Sequence, residues 1–466
     1  MFSTGPTDLG YTRLVEHEIN LTDDKPYREP YRRIPPSMFD EVREHLREML
    51  EIGAIRESSS PYSSNLVLVR KSDGSLRLCI DYRGVNRKTI KDAHSLPRIE
   101  DTLDCLSGAR FFTKLDLRSA YWQCAVKESD KPKTAFNLGP LGFYEFNRLP
   151  FGLTNACSTF QRLMERCMGE LHLKECLIYL DDIIIFSKTE DEHIKRLESV
   201  FRRLKEQNLK LKCKKCGFFK TEIKYLGFIV SDGGIKTDPD KVSVVKNWPA
   251  IKNVKDLRKF LGFTSYYRRF IQDYAKIVKP LNDLLIGHTT TKRKTKVKSK
   301  KVPTKWSWNE DQQKAMDRVI EKLTSPPILA YADYTLPFIL HTDASNEGLG
   351  AVLYQKQGGI DRVIAYASRS LRGAERLYPA HKREFLALKW AVTDKFHEYL
   401  YGSMFEVKTD NNPLTYIFDK AKLDAVGHRW VASLSNYNFN LTYRAGKANG
   451  DADPLSRIQP ETKHVS

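Results

Sequence analysis

Short apolar runs separated by polar residues make up most of this chain, and two of them frame a pair of acids. Leu177-Ile178-Tyr179-Leu180 precedes Asp181-Asp182, and Ile183-Ile184-Ile185-Phe186 follows. Apolar runs of this length on either side of an acidic pair predict two strands of a hairpin with the charges at its tip. A structural turn would more naturally carry Asn-Gly or Asp-Gly, although an Asp-Asp pair taken alone also fits a plain acidic β-turn. A third run, Phe111-Phe112-Thr113-Lys114-Leu115-Asp116-Leu117, again ends in a carboxylate before a more polar segment. A strand carrying Asp116 beside the hairpin would bring three carboxylates to one spot. Their mutual repulsion calls for cations, and hard divalent ions such as Mg²⁺ take oxygen ligands. Three carboxylates can hold two such ions, the arrangement that stabilises the attacking and leaving oxygens of in-line phosphoryl displacement. The pattern therefore points to nucleotidyl transfer.

Elsewhere the periodicity changes. Residues up to about Pro36 read as an irregular lead-in. From Ser37, the residues Phe39, Val42, Leu46, Met49 and Leu50 recur at helical spacing, and Gly53 stands where a C-terminal cap belongs. Leu66–Val69 and Leu76–Ile80 read as strands around the turn Ser72-Asp73-Gly74. Thr189 and Glu192 form a capping-box pattern, opening a helix with Ile194, Leu197, Phe201 and Leu204 on one core-packing face. Residues 239–286 read as helices in which Leu257, Phe260, Leu261 and Phe263 are interleaved with Arg and Lys.

A second set of acids lies further on. Phe338–Asp343 is an apolar run ending in an acid, and Phe405–Asp410 is another. Glu384 falls on a helical pattern marked by Phe385, Leu388, Val392 and Phe396, and Asp453 lies near the C-terminus. Acids at strand ends with one on a helix fit a two-metal site, and each equally fits a solvated surface acid.

Composition adds the partner. Lys and Arg number 77 against 58 Asp and Glu, a net charge of +19. On a protein whose 41% hydrophobic content can build real cores, that excess points to a polyanion, nucleic acid above all. No apolar stretch approaches a membrane span, and the N-terminus lacks the basic and apolar regions of a signal peptide. The eight cysteines form no disulfide-like framework, which suits a reducing compartment. Cys213 and Cys216 lack the second ligand pair that a zinc site needs and read as ordinary thiols. Between Thr289 and Lys305 stand Lys292, Arg293, Lys294, Lys296, Lys298, Lys300, Lys301 and Lys305 with no acid. This block is either a solvated linker or a strap that grips phosphates, and one segment can be both.

The motifs in order resemble the reverse transcriptase–RNase H region of Ty3/gypsy-type LTR retrotransposon polyproteins. They run Asp81-Tyr82-Arg83 with Asn86, Leu96-Pro97-Arg98-Ile99, Thr113-Lys114-Leu115-Asp116-Leu117 and Leu149-Pro150-Phe151-Gly152-Leu153. Thr159-Phe160-Gln161, Tyr179-Leu180-Asp181-Asp182 and Tyr225-Leu226-Gly227 follow. The second half adds Thr342-Asp343-Ala344-Ser345, Thr409-Asp410-Asn411-Asn412-Pro413-Leu414 and Ala452-Asp453-Pro454-Leu455-Ser456-Arg457. The resemblance spans roughly residues 10 to 457.

It implies an α+β right-hand polymerase (fingers, palm, thumb) followed by an α/β RNase H-like domain with a mixed sheet. The expected divisions are a lead-in at 1–36, fingers and palm at 37–237, thumb at 238–288, basic tether and connecting helix at 289–335, RNase H at 336–457 and a tail at 458–466. It further implies that Asp116, Asp181 and Asp182 hold the polymerase metals and that Asp343, Glu384, Asp410 and Asp453 hold those of RNase H, two Mg²⁺ per site with Mn²⁺ as a substitute. Tyr121 matches the residue that excludes a ribose 2′-OH. Arg70, Lys71 and Arg77 match residues that grip the dNTP triphosphate, Phe151 lies against the incoming nucleotide, and Leu226-Gly227 holds the primer end. The implied partners are RNA template, DNA primer, RNA–DNA hybrid and dNTPs, with no membrane. The implied setting is intracellular, a cytoplasmic virus-like particle or the nucleus. Monomer and dimer both remain open.

Three features depart from the family pattern. Cys157 stands where the family often has proline, a change expected to alter a turn near the nucleotide pocket. Arg444-Ala445-Gly446-Lys447 offers no histidine before the last acid, where many RNases H have one that serves product release. The basic insert at 289–305 is longer than expected. No Asp-Ser/Thr-Gly protease motif or zinc-binding integrase module occurs in the sequence, so the chain is expected to be a piece of a longer polyprotein. Two rival readings are a nucleic-acid-binding relic adopted by a host and a polymerase whose RNase H domain is only structural. The presence of all seven acids speaks against both.

Overall fold

The computed structural model describes residues 1–5, 7–70, 74, 76–288, 306–409 and 423–443. Lys71, Ser72, Asp73, Asp410, Asp453, the basic stretch 289–305 and Arg444–Lys447 lie outside the described residues. The chain divides into two compact units, Met1–Ile223 and Lys224–Ser466. The expected edge between palm and thumb near residue 237 thus lies inside the second unit.

In the first unit, a four-stranded sheet runs in the order Gly217–Lys220, Phe111–Asp116, Asp182–Ser187, Cys176–Tyr179. Its two central strands read apolar because both faces are covered. Helices Ala156–Met168 and Glu190–Glu206 supply Phe160, Leu163, Met164, Leu197, Val200 and Leu204 to a core shared with Leu115, Ile178, Ile183 and Ile185. A five-stranded sheet (Ile55–Glu57, Phe143–Phe146, Phe136–Asn137, Ser64–Arg70, Leu76–Asp81) packs around the helix Phe39–Glu51, which buries Val42, Leu46 and Met49. Gly53 follows that helix with φ +63°, the left-handed geometry of a C-terminal cap.

Three sequence expectations differ from the structure. The lead-in is not irregular throughout, because Thr12–His17 forms a strand parallel to Cys124–Val126 with His17 buried. Its mixture of Arg, Glu and His hides the alternation that marks a half-buried strand. On the Glu190–Glu206 helix Ile194 is 47% exposed, and His193 takes the inward position instead. His193 Nε2 lies 2.7 Å from Thr113 Oγ1 and its Nδ1 lies 3.0 Å from Ser187 Oγ, so a polar pair turns the buried stripe by one residue. Thr189 caps this helix as expected by accepting from Glu192 N–H, but the Glu192 carboxylate bonds back to Lys188 N–H, one residue earlier than in a capping box.

The second unit opens with the antiparallel strands Phe228–Ser231 and Gly234–Thr237, joined in one sheet by Glu222–Tyr225. Helices Pro239–Lys246 and Val254–Tyr266 follow, the second burying Leu257 and Phe260. After helix Glu310–Thr324, with its Asn309 capping box, comes a mixed five-stranded sheet in the order Ile360–Ser370, Gly348–Gln357, Phe338–Ala344, Met404–Thr409, Asn438–Tyr443. The first three strands are antiparallel, and the last two run parallel to Phe338–Ala344. Helix Ala380–Trp390 lays Phe385 and Leu388 on Phe338, Leu340 and Val407.

Candidate active sites

The acidic hairpin forms as its pattern predicts. Tyr179 pairs with Asp182, leaving Leu180 and Asp181 as a two-residue turn. Leu180 has φ +53°, a left-handed conformation in which a branched side chain is strained by about 1–2 kcal/mol. The buried amide of Gln161 holds it there. Its Oε1 accepts from Leu180 N–H at 2.8 Å, and its Nε2 donates to the Ile178 carbonyl at 3.2 Å. The sequence reading assigned Gln161 no role. The signal that could have found it is a polar side chain on an otherwise apolar helix face beside Phe160 and Met164.

Asp116 closes the site from the neighbouring strand, directly opposite Asp182 in the antiparallel register. Two cations answer the gathered charge. Lys114 lies two residues before Asp116 and so on the same face of its strand, and its Nζ sits 2.8 Å from Asp182 Oδ1. Lys215 Nζ lies 3.5 Å from Asp116 Oδ2. Among the described residues Asp181 has no such partner, and its Oδ1 is buried without a hydrogen bond. Burial first, and then Asp182 and Asp116, push its carboxyl up to about 6, while Lys215 pulls it down. Among the described residues no three His, Cys, Asp or Glu side chains are gathered at metal-holding distance. In the first site the register brings the acids to one edge, and lysines occupy two of them. The donor set nevertheless fits a hard cation: it is all oxygen, half-buried and in electrostatic excess, with one shielded oxygen lacking a partner.

Next to the acids is an aromatic wall. Tyr121 is 8% exposed and lies edge-on to Phe160 and Phe151, with ring centroids 5.1 and 4.9 Å away. Phe151 is 44% exposed, and the Arg77 guanidinium sits 5.3 Å from its ring centre. The structure thus unites Tyr121, Phe151 and Arg77. Arg70 is instead engaged elsewhere, its two terminal nitrogens on Glu41 at 2.6 and 2.8 Å.

Leu226 and Gly227, in the second unit, form the turn between Glu222–Tyr225 and Phe228–Ser231, with φ of +49° and +80°. Tyr266 and Tyr267, at the end of helix Val254–Tyr266, donate to their two carbonyls at 2.5 and 3.4 Å. A Cβ on Gly227 would meet the Tyr267 hydroxyl at 3.0 Å, so this turn has little room for another residue.

The second acidic set is partly described. Asp343 lies near the end of strand Phe338–Ala344, paired with Gly350. Glu384, 7% exposed on helix Ala380–Trp390, accepts from Ala344 N–H through Oε1 at 3.2 Å. One helix acid is thus fixed against the strand end that carries the other. Strand Met404–Thr409 runs parallel beside it, with Lys408 opposite His341, and Asp410 lies outside the described residues. Glu384 and Asp343 also offer oxygen donors suited to a hard cation.

Residues 69–230 match the family "reverse transcriptase (RNA-dependent DNA polymerase)", and residues 308–407 match "RNase H-like domain found in reverse transcriptase". The chain is 42% identical, over 97% of its length, to the retrovirus-related Pol polyprotein from transposon opus of Drosophila melanogaster, of which it covers 45%. It is 40% identical, over 98% of its length, to that from transposon gypsy of the same organism, of which it covers 44%. The chain therefore spans less than half the length of these curated relatives. Its fold is similar to that of the foamy viral protease-reverse transcriptase solved in complex with double-stranded DNA, with a TM-score of 0.81 and 20% identity over 95% of this chain and 76% of that one. No helix among the described residues is long and apolar enough to cross a membrane.

Proposed function

This chain resembles the reverse transcriptase–RNase H region of Ty3/gypsy-type retrotransposon Pol polyproteins, and from that premise we propose that it copies RNA or DNA into DNA and cleaves the RNA strand of RNA–DNA hybrids. The observation that carries the polymerase reading is the placing of Asp116 opposite Asp182, with Asp181 in the hairpin turn that leads into Asp182 and its shielded oxygen without a hydrogen bond among the described residues.

Asp116, Asp181 and Asp182 would hold two Mg²⁺ ions, with Mn²⁺ as a substitute. Bound there, the metals supply the positive charge that favours ionisation of a primer 3′-OH and stabilises departing pyrophosphate. The chain's own residues do the rest. Gln161 fixes the hairpin turn so that the carboxylates do not wander. Arg77, above the exposed face of Phe151, offers charge to a triphosphate, while Phe151 and Tyr121 wall the sugar and base. Arg70 must leave Glu41 to join it, which makes its contribution conditional on nucleotide arrival. Lys71 completes this basic group in the proposal. Leu226-Gly227, anchored by Tyr266 and Tyr267, presents a fixed backbone turn to the primer end.

In the second site Asp343 and Glu384, with Asp410 and Asp453, would hold the metals that activate water for hydrolysis. Hybrid recognition there rests on backbone shape and 2′-OH contacts. The net charge of +19 supports phosphate binding that weakens steeply with salt. Virus-like particles are the setting that the Pol relatives suggest.

Primer extension on an RNA template tests the first site, with Asp181→Asn beside the parent protein. Extension by the parent alone is expected, and extension by both or by neither refutes the assignment. Hybrid cleavage that survives Asp343→Asn refutes the placement of the second site.

A further inference from the structure

The Tyr121 hydroxyl lies 3.3 Å from Cys157 Sγ. The Tyr121 ring meets Phe160 and Phe151 through edge-on contacts, which limit its tilt without fixing its polar end. Burial raises the phenol's pKa, so the hydroxyl stays protonated and can donate to sulfur or accept from the thiol. Cys157, Phe160 and Gln161 occupy positions i, i+3 and i+4 of helix Ala156–Met168 and so share one face. A single helix therefore holds the Tyr121 hydroxyl, the Tyr121 ring and the turn that bears Asp181.

We propose that Cys157 is a positioning residue for sugar selection: its thiol fixes the Tyr121 hydroxyl, and with it the height at which the ring meets the nucleotide's 2′ position. The inference rests on the reading of Tyr121 as the residue that excludes a 2′-OH. Without the thiol the hydroxyl end loses its anchor within the play that the two aromatic contacts leave, and a ribonucleotide meets a softer barrier.

Single-nucleotide incorporation by the full chain, comparing kcat/KM for a dNTP and the rNTP of the same base, tests this with Cys157→Ala, Cys157→Pro, Cys157→Ser and Tyr121→Ala. Proline is compatible with the first turn of a helix, where the N–H has no intrahelical partner, so Cys157→Pro removes the thiol without breaking the element. Cys157→Ala and Cys157→Pro are expected to lower the dNTP preference about fivefold, the size of one neutral hydrogen bond. The change should be carried by the rNTP KM, and Cys157→Ser should restore the preference. If Tyr121→Ala lowers the preference while Cys157→Ala and Cys157→Pro keep it, or if these two lose dNTP and rNTP incorporation equally, the role of Cys157 is overturned. If Tyr121→Ala itself keeps the preference, the reading of Tyr121 fails instead.

Discussion

Asp116 and Asp182 stand opposite each other across one rung of an antiparallel ladder, and each is met by its own lysine. An unpaired rung of two carboxylates would repel, so Lys114 and Lys215 hold the places for which divalent cations would compete in the proposed polymerase site. Lys114→Gln removes a half-buried ion pair of about 1 kcal/mol. The Mg²⁺ concentration for half-maximal extension is expected to fall roughly two- to fivefold in this variant. Mn²⁺ titration by electron paramagnetic resonance, without substrate, should show the same direction. A raised metal requirement would count against competition at this rung.

Gln161 makes the strained Leu180 turn tolerable. Gln161→Leu keeps the side-chain bulk but leaves Leu180 N–H and the Ile178 carbonyl without their buried partner. A loss of about 1–3 kcal/mol in denaturant unfolding of the first unit is expected. Primer extension should slow at least about tenfold, because the turn carries Asp181. Hybrid cleavage, which the proposed function assigns to a separate set of acids, should continue.

Glu384 is fixed by the Ala344 N–H at the end of the strand that carries Asp343. Glu384→Gln keeps an oxygen for that hydrogen bond while removing the charge. Cleavage of a labelled RNA–DNA hybrid should fall by roughly a hundredfold or more, with primer extension retained. Parallel loss of both activities would mean that the substitution acts through folding.

His17 is 1% exposed, its Nδ1 2.8 Å from Thr159 Oγ1, and burial pushes its pKa from 6.5 down to about 4 despite the opposing pull of Asp130, Asp92 and Glu18. Between those two values the unfolded chain binds a proton that the folded chain refuses. Stability from this group is therefore complete above pH 6.5 and is lost as pH falls toward 4, by on the order of 3 kcal/mol. His17→Gln should flatten that part of the pH–stability curve in denaturant titrations. Equal slopes for the two proteins across that window would exclude His17 as the source.

The sequence alone determined the hairpin, the strand that bears Asp116, the helix that carries Glu384 and the strand that carries Asp343. Each is a local pattern in which apolar periodicity forces one geometry and places the acid at a fixed point. Motif order also determined the resemblance, since no single contact is needed to read it. Tertiary structure decided the rest, because those facts join residues far apart in the chain. The register that sets Asp116 against Asp182, the lysines that hold both, and Gln161 beneath Leu180 have no local signature. Arg70 bound to Glu41 and Cys157 at the Tyr121 hydroxyl are likewise choices among partners that only a folded chain presents. Periodicity says which face of an element is buried, but a polar side chain's partner depends on what the neighbouring element offers at that point.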